Sequence, residues 1–220
     1  MKPRSPFIQP FEKLPKELPI YPLENALLPG GELPLTIDEP HYLAMFLDVL
    51  KTDQLIGMVQ PRENDLDSDI YQTGCAGRIR QYRERKDGKL NIMLTGICRY
   101  KIIEELPMEK GYRRAMVDWS AFRQDYDTEE VSAERIGFFM ASLRTYFDRH
   151  AMQVDWKVLD ELPIEQVVNN LVLILNLNIP SKQRLLEAST VVDRLALFAA
   201  LLEEIPAPIV AAEQAGHRVN

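Results

Sequence analysis

The stretch Asp65-Leu66-Asp67-Ser68-Asp69 has the spacing nearest to a metal site, because it places a carboxylate at every second position, as the start of a calcium loop does. Such a loop also needs a glycine at its sixth position for the sharp turn and a bidentate glutamate at its twelfth, and here those positions hold Ile70 and Ala76. The run therefore reads as a solvated acidic loop. A zinc donor set is also missing, since His41, His150, His217, Cys75 and Cys98 are scattered without ligand spacing. No metal-binding residue is expected.

A cysteine nucleophile requires an electropositive, partly open setting with a base in reach. Cys75 beside Gly74 and Cys98 beside Arg99 each fall in an expected strand, which favours buried structural thiols. The sequence has no GxSxG elbow and no GxxxxGK[ST] phosphate loop. The adjacent carboxylates Glu104-Glu105, Glu129-Glu130 and Glu203-Glu204 would point to opposite faces of a strand, or about 100° apart on a helix, and read as solvated charge. No catalytic residue and no cofactor are expected.

The basic run Arg78, Arg80, Arg83, Arg85, Lys86, Lys89 is the strongest charge feature. Arg78 and Arg80 share one strand face with Tyr82 while Arg83 and Arg85 take the other, so neither face carries a continuous basic-aromatic stripe. Keeping an exposed hairpin soluble explains the run first, with RNA or an acidic partner second.

These residues sit on a chain of 220 residues with 46% apolar content, enough for a sizeable core in one large domain or two small ones. A net charge of −7 repels polyanions at long range, which disfavours generic binding to nucleic acid or to anionic membranes. Near the N-terminus Pro3, Pro6, Pro10, Glu12 and Lys13 interrupt the apolar run that a secretory signal needs. No stretch reaches the roughly 18 apolar residues of a transmembrane helix. A cytoplasmic location with no membrane partner is expected. Two cysteines without a CxxC pair are expected to be reduced there.

The pattern of elements changes near residue 125. Before it, Pro19 to Leu23, Leu33 to Ile37 and Leu55 to Val59 read as strands bounded by turns, and Pro40 opens a helix carrying Leu43, Phe46, Leu47 and Leu50. Asp87-Gly88 predicts a hairpin whose second arm buries Leu90, Ile92 and Leu94. Further strands are expected from Ile97 to Glu104 and from Tyr112 to Phe122, with a loop from Leu106 to Gly111 between them. Beyond Asp125 the period turns helical, with one stripe through Ile136, Phe139, Leu143 and Phe147 and another through Ile164, Val168, Leu171 and Leu175. Pro180-Ser181 and Thr190 with Asp193 mark two more helix starts.

The order of several short motifs resembles the N-terminal domain of Lon-type ATP-dependent proteases. Leu18-Pro19 to Pro22-Leu23, then Leu27-Leu28-Pro29-Gly30, then Pro34-Leu35 match that family's opening. Gly74 to Ile79, Asp87-Gly88, and Gly96 to Tyr100 look like its central strands, and Val168-Asn169-Asn170-Leu171 with Lys182 to Ala188 look like its helical half. The residue pattern gives an α+β fold, with a β-rich body over 18–124 and a helical bundle over 125–205, between an N-terminal extension at 1–17 and a mobile tail at 206–220, and the resemblance implies that the β-rich body is a PUA-like pseudobarrel. It also implies binding of unfolded polypeptide clients or of a partner protein, in a role in protein quality control. The chain stops before any Walker motif or Ser-Lys peptidase pair, so neither ATP hydrolysis nor proteolysis is implied. Leu27, Leu28 and Pro29, apolar residues beside a turn, are the candidate polypeptide-binding residues, although for Leu27 and Leu28 packing into the core is the favoured reading. RNA is the second partner class, because PUA-like folds elsewhere bind it and the hairpin is rich in arginine. The oligomeric state is open.

Overall fold

The strand-length apolar runs before residue 120 condense into one six-stranded sheet. The computed structural model describes residues 9–63, 69–127 and 129–206. Its elements are β1 (Glu17–Pro22), β2 (Glu32–Ile37), α1 (Pro40–Val49), β3 (Leu55–Val59), β4 (Thr73–Glu84), β5 (Leu90–Glu109) and β6 (Tyr112–Asp118), followed by a 3-10 turn (Ser120–Tyr126). Then come α2 (Ala133–Arg149), α3 (Trp156–Glu161), α4 (Ile164–Ile174), α5 (Ile179–Glu187) and α6 (Val191–Glu204). The α+β class and the order of strands before helices are as the sequence led us to expect.

The sheet runs β2-β5-β4-β3-β1-β6, and β6 also pairs with β5. The strands β5, β4, β3, β1 and β6 therefore close into a ring, while β2 lies outside it on the first half of β5. Closure rests on β5, a 20-residue strand that pairs with β2 and β4 at its start and with β6 at its end. The sequence suggested two strands and a loop here, but the ladder runs through to Glu109, and the chain reverses at Lys110-Gly111, both with positive φ. The strand expected from Tyr112 to Phe122 ends at Asp118, whose carboxylate takes the N–H and hydroxyl of Ser120 and opens the 3-10 turn.

Ring closure divides the apolar residues into two cores. Leu18, Ile20, Ala76, Cys98, Tyr100 and Ala115 fill the ring. Cys75, Ile79 and Leu94 join Met45, Phe46, Phe139, Leu171 and Phe198 in a second core, shared by the outer wall of the sheet and the helices. The chain between β1 and β2 passes through this second core. Gly96 makes the passage possible, because a Cβ there would lie 2.1 Å from the carbonyl oxygen of Leu28. The amide of Gly30 donates to Gly96, and that of Gly96 to Gly31, both at 2.9 Å.

The helix starts follow their caps. Ser132 accepts from the N–H of Arg135, Asn178 from Ser181 and Thr190 from Asp193. Asp155 caps the short helix α3, for which the sequence offered no apolar period. Phe139 and Phe198 pack α2 against α6 with ring centroids 5.7 Å apart. Arg149 at the end of α2 donates to the carbonyls of Leu202, Glu203 and Ile205 at the end of α6, so these helices run side by side in the same direction. Most of the tail expected over 206–220, the first half of the extension over 1–17 and the acidic loop through Asp65 and Asp67 lie outside the described residues.

Candidate functional site

β2, the first half of β5 and the second half of β4 form a three-stranded arm that extends beyond the ring. β3 pairs with β4 only as far as Arg78, and the N–H of Ile79 goes to the carbonyl of Gln54 at 3.0 Å. Among the described residues, the outer edge of β4 from Arg80 to Glu84 has no strand partner.

A β-bulge at Arg80 resets the faces of this arm. Ile79 lies opposite Leu94 and Gln81 opposite Met93, so Arg80 is the extra residue and the alternation shifts by one. Tyr82 consequently lies opposite Ile92, on the core side, with its ring edge-on to Phe46 at 5.2 Å. The sequence had placed Tyr82 with Arg78 and Arg80 and set Arg83 on the other face. The bulge corrects this: Arg78, Arg80 and Arg83 share the solvent face, and Tyr82 leaves it.

On that face a groove of about 640 Å³ runs across the strands, lined by Pro34, Thr36, Gln81, Arg83, Asn91 and Met93. Its floor mixes apolar and amide surface, and the Thr36 hydroxyl donates to Asn91 Oδ1 at 3.1 Å. Arg80 pairs with Glu32, Arg85 with Asp87 at 2.9 Å and Lys89 with Asp38 at 2.7 Å. The hydrogen bond to Asp38 raises the Lys89 pKa. Among the described residues Arg83 and Lys86 have no ion pair.

Leu27 and Leu28 are 2% and 1% exposed and stand inside the core between sheet and helices. Pro29 is half-buried, and its carbonyl accepts from Asn169 Nδ2 on α4 at 3.1 Å. The three residues thus do not form an open apolar surface. Their place beside a Pro-Gly turn suggested a loop, but the turn itself is clamped between β5 and α4. Open apolar surface lies instead at Phe138, 65% exposed, beside a groove of about 370 Å³ between α2 and α6 that Val192, Leu195 and Ala196 help to line.

A third recess, of about 620 Å³, lies where the ring meets the helices, between Arg62, Tyr71 and Lys101 on one side and Glu187 and Ser189 on the other. Nearby, Cys75 and Cys98 are fully buried, and burial first and the Asp125 charge second push both thiols up, so neither supplies a thiolate at neutral pH. Among the described residues no three metal-ligating side chains converge. These surfaces can hold a ligand by shape, charge and backbone hydrogen bonds.

A family model described as the substrate-binding domain of ATP-dependent protease La (LON) matches residues 17–204. Lon protease 2 of Myxococcus xanthus is 31% identical over 137 residues, covering 60% of this chain and 16% of that protein. The Lon protease of Dictyoglomus thermophilum is 27% identical over 194 residues, covering 84% of this chain and 24% of that protein. The chain thus spans at most about a quarter of the length of these relatives. Among solved structures, a Lon N-terminal domain protein from Xanthomonas campestris superposes with a TM-score of 0.60 at 23% identity, covering 86% of this chain and 99% of that one. The N-terminal domain of Mycobacterium avium complex Lon protease gives a TM-score of 0.62 at 16% identity, again over 86% of this chain and 99% of that one. At these identities the structures establish the shared fold.

Proposed function

This chain belongs to the family of LON substrate-binding domains, and from that premise we propose that it is a non-catalytic module that captures unfolded or partner polypeptides in cytoplasmic protein quality control. The family match across almost the whole chain carries this reading. The open arm supports it physically: an unpaired strand edge beside a groove offers backbone hydrogen bonds that any extended polypeptide can use, whatever its sequence. Cys75 and Cys98 are buried, which fits a role without covalent chemistry.

The test is a peptide array covering several unrelated proteins, probed with the whole chain. Retention of a subset of peptides, with no cleavage of any, is the expected result. An array that stays blank would remove the proposal.

One observation favours a second reading, RNA binding: the bulge gathers Arg78, Arg80 and Arg83 on a single face. It predicts affinity that falls steeply with salt. Against it, the Tyr82 ring packs edge-on to Phe46, on the side of the sheet away from these arginines, so the two do not form one stacking surface for bases.

A further inference from the structure

On the polypeptide-binding reading, we infer that the open edge of β4 from Arg80 to Glu84 takes up an acidic, extended segment of the client as an added strand. The backbone sets the geometry. Arg85 donates its N–H to the carbonyl of Lys89 at 2.8 Å, and bonded and non-bonded pairs alternate along an antiparallel ladder. Arg83 therefore also turns its N–H and C=O toward β5, while Tyr82 and Glu84 turn theirs out of the sheet. A guest strand meets these outward groups at every second residue. The outer edge of β2 serves less well, because Pro34 in its middle has no N–H to give.

Charge decides which guest fits. The protein carries −7 overall, yet the run from Arg78 to Lys89 is net positive, and Arg83 and Lys86 lack ion pairs among the described residues. An acidic segment is thus attracted to this edge while the rest of the surface repels it. The same cations keep two copies of the chain from pairing edge to edge, so the guest must bring the opposite sign. In the added strand, alternate side chains would lie over the arginine face and beside the ring of Tyr82, which is 51% exposed. An RNA strand could use the cations and single N–H groups, but it has no backbone that repeats the strand's spacing and so cannot continue the ladder along the edge.

The experiment titrates the full chain into a fluorescein-labelled alternating Glu-Val peptide and follows anisotropy. Its arms are a Lys-Val peptide, a Glu-Val peptide N-methylated on alternate residues, a uridine RNA of equal charge, a reduced and alkylated unfolded protein, and the double variant Arg83→Glu with Lys86→Glu. Both mutated side chains are exposed, so the variant should keep the wild-type thermal transition. The expected result is binding of the Glu-Val peptide, with a loss of about tenfold or more for the Lys-Val peptide, the N-methylated peptide and the double variant. Equal affinity for the N-methylated peptide, or for the double variant, overturns the inference. So does RNA binding that is tighter than peptide binding and lost in the variant. If the unfolded protein binds wild type and variant alike while the Glu-Val peptide does not bind, the edge inference fails and the polypeptide-binding reading stands. If no polypeptide binds, both fail.

Discussion

Arg99 on β5 and Asp125 at the end of the 3-10 turn meet fork to fork inside the protein, with Nη2 2.7 Å from Oδ1 and Nε 3.0 Å from Oδ2. Both side chains are almost wholly buried. The remaining nitrogen, Nη1, donates to the carbonyls of Leu186 at 2.9 Å and Ala188 at 2.5 Å, at the C-terminal end of α5. One guanidinium thus ties the ring to the helices and satisfies carbonyls that the end of α5 leaves open. Arg99→Ala or Asp125→Ala leaves an uncompensated buried charge and should cost roughly 3–5 kcal/mol of unfolding free energy in urea titration. Arg99→Lys should not restore it, because a point charge cannot replace the planar fork. A loss below about 1 kcal/mol, as for a surface pair, would contradict this.

The two thiols should be silent in the native protein. Burial pushes the pKa of Cys75 and of Cys98 above the ordinary 9.0. A thiol reagent at neutral pH should label neither until denaturant is added. Folded thiols hold their protons longer than unfolded ones, so their contribution is complete below about pH 9 and is lost as pH rises from there toward the folded values. Urea midpoints measured from pH 7 to pH 10 should fall above pH 9, and the fall should be smaller in Cys75→Ala than in wild type.

Gly74 and Gly137 should respond to alanine in opposite directions. A Cβ on Gly74 would lie 2.4 Å from the carbonyl oxygen of Met58 and 2.5 Å from the hydroxyl of Tyr100, inside the closed ring. Gly74→Ala should abolish or severely weaken folding. A Cβ on Gly137, exposed in the second turn of α2, meets nothing within 4 Å. Gly137→Ala should raise stability by about 0.5–1 kcal/mol by thermal denaturation.

Leu28→Ala separates packing from binding. Leu28 is 1% exposed, so the truncation should cost about 2–5 kcal/mol. Affinity for polypeptides, corrected for the folded fraction, should stay at the wild-type value. A selective loss of affinity in a fully folded variant would return Leu28 to the binding surface.

Features set by neighbouring residues were legible in the sequence. Asp87-Gly88 made its turn, Pro40 opened α1, and Thr190 capped α6 through the N–H of Asp193. Features set by distant partners were not. The bulge at Arg80 depends on how β4 meets β5, and it moved Tyr82 to the other face. The apolar pair Leu27 and Leu28 reads alike on a loop or in a core, and the choice was made by Gly96 and Asn169, far along the chain. The Arg99–Asp125 pair has no local signal at all.

Isothermal titration of the full chain with a permanently unfolded, reduced and alkylated protein tests the polypeptide-binding role most directly. A module that captures unfolded chains gives saturable heat, and the polypeptide is recovered uncut. No binding up to about 1 mM, where the free energy of association falls to about −4 kcal/mol, or recovery of cleaved polypeptide, would contradict that role.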